Sequence, residues 1–172
     1  MSERRPQRCW VVEDDFGIGK VRIAMPDANA RLSRALDLES PVAGRMTRDD
    51  HLACIRLGPH EWTVIGSADA VQAALARVGA SFRDDLALAL DMSHGGILLR
   101  LSGPQAINRI AAYCDLDLHP ASFATGHATR TRFGDVAVTL ARLDDRPSFW
   151  LIADRSYAEY LMLLLGHGAP AS

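Results

Sequence analysis

The stretch LSGPQAINRIAAYCDLDLHP, residues 101–120, holds the residues of this chain whose types and spacing could do chemistry. A Gly-Pro turn that leads into a helix could bind an anion, because the free N–H groups of a helix N-terminus attract negative charge. Cys114 and His119 could act as a nucleophile and its general base. Such a pair needs a third group that orients the imidazole, and Asp115 or Asp117 could supply it.

Turn formation explains the glycine-proline pair with fewer requirements. A phosphate-binding loop of the Walker type needs several glycines, a lysine and a hydroxyl in sequence. The segment LSGPQA has one glycine and no lysine, and its proline removes an amide donor. Gly103-Pro104 is therefore predicted to be a tight turn between a strand and a helix, and no nucleotide site is predicted.

Cys114 and His119 also suit structural positions. The apolar stripe of the predicted helix consists of Ala106, Ile107, Ile110 and Ala111. Cys114 lies on the extension of this stripe, which predicts a buried thiol without activation. His119 precedes Pro120, which restricts it to extended geometry, so we expect it to hydrogen-bond a loop.

Metal-binding and acid–base patterns are missing from the sequence. The histidines are scattered singly, at His51, His60, His94, His119, His127 and His167. The cysteines form no Cys-x-x-Cys pair, and they stand at Cys9, Cys54 and Cys114. Adjacent carboxylates occur at predicted turns, where aspartate bends the chain. We therefore predict no catalytic, cofactor-binding or metal-binding residue in this chain.

Composition predicts one ordinary globular domain. The 172 residues carry 19 basic and 21 acidic side chains with interleaved signs, which argues against nucleic acid as a partner. An odd number of cysteines, no signal peptide and no membrane-length apolar run predict a cytoplasmic protein without a membrane partner. We expect a single domain at residues 10–166, between flexible tails at 1–9 and 167–172.

Strand and helix patterns alternate along the chain. Strands are predicted at WVVEDD, KVRIAM, LALALDMS, GILLRLSG, HATRTRF, VAVTLARL and SFWLIAD, with a hairpin over residues 51–66 that turns at Gly58, Pro59 and His60. Helices are predicted after Pro26, from a cap at Ser67 or Asp69 to Gly79, from Pro104, and from a cap at Ser156 to Gly166. Residues 40–50 read as a loop.

Two of these strands, LALALDMS and GILLRLSG, are predicted to form a second hairpin around His94, Gly95 and Gly96. A hairpin followed by a helix then occurs at residues 51–79 and again at 86–114, which suggests a faint internal repeat. Strand pairs with a helix after each group predict an α+β fold with a mostly antiparallel sheet.

From Leu86 onward, a series of linked motifs resembles the gamma subunit of heterotetrameric, folate-linked sarcosine oxidase. The motifs are LDMSHGGILLRLSGPQA, YCDLDLHPASFATG and VTLARLDDRPSFWLIADRSYAEYL, and upstream LGPHEWTVIG is similar to that family's hairpin. The family is itself similar to the tetrahydrofolate-binding domain of glycine-cleavage aminomethyltransferases, an α+β fold. The first fifty residues match the family poorly.

The resemblance implies a small structural subunit without catalytic residues of its own. Its implied partners are larger alpha and beta flavoprotein subunits and a small delta subunit, which hold FAD, FMN, NAD and tetrahydrofolate. Such a complex oxidises the N-methyl group of sarcosine, giving glycine, hydrogen peroxide and a one-carbon unit captured by folate.

Three alternatives stay open. The chain could be an autonomous folate-binding one-carbon transferase or assembly factor. It could be the equivalent subunit of a dehydrogenase for another N-methyl amino acid, such as N-methylglutamate. It could also be a free-standing interaction protein, in which apolar residues of the last helix, such as Tyr157 or Leu161, either form a docking face or belong to the core.

Overall fold

The computed structural model describes residues 9–167, so residues 1–8 and 168–172, which make up most of the two predicted tails, lie outside the described residues. Its strands are β1 (Trp10–Val12), β2 (Gly17–Ile23), β3 (Arg45–Arg48), β4 (Leu52–Gly58), β5 (Glu61–Gly66), β6 (Ala87–Asp91), β7 (Gly96–Ser102), β8 (Ala128–Phe133), β9 (Val136–Asp144) and β10 (Ser148–Asp154). Its helices are α1 (Ala28–Leu36), α2 (Ala68–Ser81), α3 (Pro104–Ala111) and α4 (Ala158–His167).

The strands form two antiparallel sheets of five. We call the sheet with the order β3-β4-β5-β2-β6 sheet I, and the sheet with the order β1-β7-β10-β9-β8 sheet II. Helices α1 and α2 bury their apolar stripes against one face of sheet I, and α3 and α4 do the same on sheet II. The predicted α+β fold with antiparallel strands is confirmed.

The remaining face of each sheet packs on the other sheet. Their shared core contains Ile55 and Ile65 from sheet I, and Leu98 and Ala141 from sheet II, all at most 2% exposed. The layers therefore run helix, sheet, sheet, helix, and the apolar faces of both sheets are covered on each side.

Each half of the molecule follows the β-α-β-β-α-β order of a split βαβ motif. In sheet I the motif consists of β2, α1, β4, β5, α2 and β6, with β3 added at one edge. In sheet II it consists of β7, α3, β9, β10 and α4, but the last strand is supplied by β1 from the start of the chain. Sheet II thus takes one edge strand from the segment that precedes sheet I in the chain.

The division into two sheets makes the second predicted hairpin wrong. Strand β6 pairs with β2, whereas β7 pairs with β1 and β10, so the chain crosses from one sheet to the other between them. The crossing is a short 3-10 turn, Ser93–Gly95, and the Ser93 Oγ accepts the N–H of Ile18 at 3.0 Å. A Cβ on Gly96 would lie 2.5 Å from Ile18 Cδ1, so a side chain at this position would require the end of the Ile18 side chain to move. The repeat predicted at residues 51–79 and 86–114 is wrong for the same reason.

Other differences are local. The predicted loop at residues 40–50 contains β3, a short edge strand. The cap of the last helical segment is Asp154, whose Oδ1 accepts the Ser156 N–H at 2.8 Å, rather than Ser156 itself. Ala111 is exposed although it was expected on the buried stripe of α3. Helix α2 begins after the predicted cap Ser67 but continues past Gly79 to Ser81.

We predict that replacing Ile55 with alanine lowers the free energy of unfolding by about 2–5 kcal/mol, because it opens a cavity between the two sheets. Val42→Ala is the control, since Val42 is 68% exposed and its truncation should change stability by less than about 0.5 kcal/mol. Urea unfolding followed by far-ultraviolet circular dichroism and tryptophan fluorescence checks this. If residues 10–166 form one domain, the circular dichroism and fluorescence transitions should occur at the same urea concentration. Two separate transitions would contradict a single domain.

Candidate functional site

The two sheets diverge beyond their shared core and leave a cleft that opens toward β2 and β6. A cavity of about 370 Å³, which we call the cleft cavity, is lined by Lys20, Glu61 and Thr63 of sheet I and by Arg130 and Thr139 of sheet II, among others. This cavity is the candidate site that the architecture provides between the halves.

A second, larger depression lies where the β4–β5 turn meets the chain before β6. This edge groove has a volume of about 570 Å³ and is lined by Arg22, His60, Glu61, Leu86 and Leu88, together with backbone around them. Glu61 lines both the cleft cavity and the edge groove.

Glu61 is the centre of a charged cluster that joins the two sheets. Arg22 is its direct cross-strand partner on β2, and Lys20 lies diagonally, so both cations share its face of sheet I. The Lys20 Nζ is 3.3 Å from Glu61 Oε1, and the Arg22 Nη2 is 3.5 Å from Oε2. Arg130 reaches across from sheet II and donates from both of its terminal nitrogens, with Nη1 3.2 Å from Oε2. We call these four residues the Glu61 cluster.

The cluster holds Glu61 ionised and leaves an excess of positive charge. The hydrogen bond from Arg130 is the main cause of a lowered Glu61 pKa, and the charges of Arg130 and Lys20 add to it against the opposing effect of burial. A carboxylate with a depressed pKa is a weak general base near neutral pH. Three cations around one carboxylate favour contact with an anionic group rather than proton transfer.

Cys114 and His119 are placed as the packing interpretation predicted. Cys114 is 5% exposed within the core of sheet II, and its Sγ lies 3.6 Å from Thr131 Oγ1. His119 is exposed in a loop, where its Nδ1 accepts the N–H of Ala121 at 3.2 Å. Asp117 Oδ1 accepts the backbone N–H of His119 at 2.9 Å. This hydrogen bond holds the backbone of His119 and does not orient its imidazole ring.

Gly103-Pro104 forms the predicted turn into α3. Gly103 has a φ of 89°, which favours glycine, and Pro104 is the first residue of the helix. The Gly103 N–H donates to the carbonyl of Pro147 at 2.8 Å. This amide therefore has a protein partner and is not directed at a ligand.

Two absences hold for residues 9–167. They contain no group of three or more histidine, cysteine or carboxylate side chains arranged to hold a metal ion. They also include no helix long and apolar enough to cross a membrane.

The sequence did not reveal the Glu61 cluster. Lys20 and Arg22 alternate on one strand, which places them on one face, and Glu61 lies in the LGPHEW motif. The pairing of β2 with β5 and the approach of Arg130 from sheet II arise from tertiary structure, since Arg130 is 69 residues away from Glu61. The alternation was the available signal, but it does not identify the carboxylate.

A buried arginine, Arg142, was also not predicted from the sequence. Arg142 is 2% exposed, and its Nη1 donates to the carbonyls of Leu118 at 3.2 Å and Phe123 at 3.0 Å. It thereby anchors the loop between α3 and β8 that contains His119. This loop is one of the quoted family motifs, so its geometry rests on a hydrogen-bonded cation in the core.

We predict that the buried thiols resist alkylation in the folded protein. Burial raises the pKa of Cys54 to about 12, which removes the thiolate needed for attack. Cys114 is enclosed, whereas Cys9 is half-buried. Iodoacetamide followed by peptide mass spectrometry should label Cys9 well before the other two. Rapid labelling of Cys114 that is abolished by His119→Ala would instead support a thiol–imidazole pair.

We predict that Glu61→Gln lowers the free energy of unfolding by about 1 kcal/mol at neutral pH. Since the folded-state pKa lies below the ordinary value of 4.5, the stabilisation is complete above that pH and is lost as pH falls through the folded-state pKa. Below the folded-state pKa of Glu61, the variant and the parent should have the same free energy of unfolding in urea titrations. Glu39→Gln, at an exposed site, is the control, and a gap that persists at the lowest pH would contradict the ion-pair explanation.

Comparison with known structures shows the fold. A chain of the heterotetrameric sarcosine oxidase from Corynebacterium sp. U-96, in complex with pyrrole 2-carboxylate, matches with a TM-score of 0.83 and 22% identity over 95% of this chain and 86% of that one. The aminomethyltransferase T of the glycine cleavage system from Bartonella henselae matches with a TM-score of 0.68 and 18% identity, over 92% of this chain and 45% of its own.

Comparison of sequences shows the family. Sarcosine oxidase subunit gamma from Corynebacterium sp. (strain P-1) is 32% identical over 108 residues, which cover 63% of this chain. The match spans about half the length of that relative, 52%. The model of the family described as sarcosine oxidase, gamma subunit matches residues 20–171. The chain therefore belongs to the sarcosine oxidase gamma subunit family.

Proposed function

We propose that this chain is a structural subunit of a heterotetrameric sarcosine oxidase and has no active site of its own. The observation that carries the proposal is the family match over residues 20–171. The burial of Cys114 and the separate loop contact of His119 support it, because the most plausible nucleophile of the sequence is packed in a core. The work of the chain is then to stabilise and position other subunits.

The proposed partners are larger alpha and beta flavoprotein subunits and a small delta subunit. These would hold FAD, FMN, NAD and tetrahydrofolate, and together they would convert sarcosine to glycine, hydrogen peroxide and a folate-bound one-carbon unit. We place the assembly in the cytoplasm, which the three free cysteines support. Within it, residues 10–166 would act as one domain.

Co-expression with the larger subunits tests the proposal. A tagged copy of this chain should purify with them, and native mass spectrometry should give a mass containing all the subunits. The complex should show flavin absorbance and oxidise sarcosine. Expression of the larger subunits without this chain is the control, and it should give less assembled flavoprotein. A colourless single chain would contradict the proposal.

The substrate needs a separate assay. The same complex would be offered sarcosine and N-methylglutamate, with hydrogen peroxide release and reduction of an added dye measured in parallel. Preference for sarcosine with peroxide release is expected. Preference for N-methylglutamate with dye reduction would identify the related dehydrogenase instead.

A folate-binding function is the second candidate, and the cleft cavity is the observation that favours it. Its volume of about 370 Å³ falls within the range of small-molecule sites, and Glu61 could face a heterocycle. The cations that surround Glu61 oppose this role, since they already occupy its oxygens. Titration of the isolated chain with tetrahydrofolate should show no micromolar binding. Binding that Glu61→Gln abolishes would favour the folate-binding alternative.

A further inference from the structure

The edge strand β6 differs from the other sheet edges of the described chain. Edge strands expose unpaired backbone groups, and proteins usually protect them with charges, short length or cover. Strand β1 has three residues. Strand β3 carries Arg45 and Arg48, and strand β8 alternates through Arg130 and Arg132. These three edges are therefore short or charged.

Strand β3 is also covered at one end by the chain that enters β8. The Met46 N–H donates to the carbonyl of Gly126 at 2.7 Å, and the Ala128 N–H donates to that of Gly44 at 3.0 Å. The sandwich is thus closed along the β3 side, whereas sheet I ends at β6 on the other side.

Strand β6 presents an apolar stripe where protection is expected. Leu88 and Leu90 are 44% and 42% exposed, and the flanking Leu86 and Met92 are 78% and 42% exposed. These residues alternate along the chain, so they lie on one face of the sheet. The intervening Ala87 and Ala89 pack against the core of α1 and α2. We call the four exposed side chains the β6 stripe.

The backbone of β6 is also available along its outer side. The Met92 N–H donates to the carbonyl of Ile18, and the Ala24 N–H donates to that of Leu86, so the even-numbered residues bond to β2. In an antiparallel ladder the intervening residues direct their N–H and C=O groups away from that partner. Ala89 and Asp91 therefore present backbone groups to the side on which sheet I has no further described strand.

Positive charge lies beside the stripe. Arg22 and Lys20 are the cross-strand neighbours of Leu88 and Leu90, and with Arg130 they outnumber the single carboxylate of Glu61. Arg22 is more than half exposed and lines the edge groove together with Leu86. An apolar strand that carries an acidic residue fits this surface, since it would meet both the leucines and the unbalanced cations.

We propose that β6 is the docking edge for an extended strand of a larger oxidase subunit, which pairs with Ala89 and Asp91, places apolar side chains on the β6 stripe and inserts a carboxylate beside Arg22. This is strand addition, in which the backbone supplies affinity and alternate side chains supply specificity. It rests on the proposed function. A second copy of this chain suits the edge less well, because it would bring another set of excess cations to the same face.

The test uses the co-expressed complex and three variants. Leu88→Lys with Leu90→Lys removes the apolar contact, and Ala89→Pro removes an outward N–H without touching a bond to β2. Val42→Lys, at an exposed residue away from β6, is the matched control. Affinity for the purified larger subunits is measured by biolayer interferometry. Circular dichroism of each isolated variant confirms folding.

Both β6 variants should weaken binding by at least about tenfold, and Val42→Lys should not. Hydrogen–deuterium exchange on the wild-type complex should slow at Ala89 and Asp91 relative to the isolated chain. Because exchange needs no variant, it remains decisive if a variant fails to fold.

Failure of each proposal is distinguishable. If the wild-type chain does not bind the larger subunits, the proposed function fails. If it binds but exchange at residues 89 and 91 is unchanged and the β6 variants bind normally, the docking edge is wrong. If sedimentation shows that the isolated chain dimerises and the β6 variants abolish only that dimer, the occupant is a second copy and the proposal is overturned.

Discussion

The contact between the two sheets is the constraint on which the rest of this structure depends. Each sheet is covered by two helices on one face, which leaves its second face with apolar side chains that need cover. Ile55, Ile65, Leu98 and Ala141 meet in that space and exclude water from both sheets at once. The cleft follows from this contact, because the sheets are held together by apolar packing at the core and separate toward β2 and β6. The Glu61 cluster lies where apolar packing gives way to charge, and it joins the sheets by ion pairs instead.

As the structural subunit that we propose, this chain would act through its surfaces. Glu61 is held ionised by the cations around it, burial raises the pKa of the Cys54 thiol, and the β6 stripe is exposed. The match to the aminomethyltransferase shows a shared fold, and a shared fold does not fix the function of a site. Among the sheet edges of the described residues, β6 is the one with exposed leucine side chains.

Local structure could be predicted well from the sequence, and pairing between distant segments could not. In α1 and α2 the apolar residues Leu32, Leu36, Val71 and Val78 stand at helical spacing in the sequence and are all buried, because helix periodicity is a local property. The predicted pairing of β6 with β7 is wrong. Two apolar strands that flank a glycine turn have the same sequence pattern whether they pair with each other or with different strands. The cleft could not be predicted because Arg130 and Glu61 come from different sheets, and no local sequence pattern shows that they meet. The family resemblance supplied the correct fold relative where periodicity could not.

The placement of β1, which precedes sheet I in the chain but pairs in sheet II, also affects the order in which the chain can assemble. Sheet I is complete once β6 has been made, so the first half can fold before most of the second has been synthesised. Sheet II has to wait for β7 before the N-terminal strand β1 finds its place, since Trp10 pairs with Leu101. Closing so long a loop is slow relative to local folding. The pairing of β1 in sheet II therefore has to wait until β7 has been synthesised, although β1 is the first strand of the described chain.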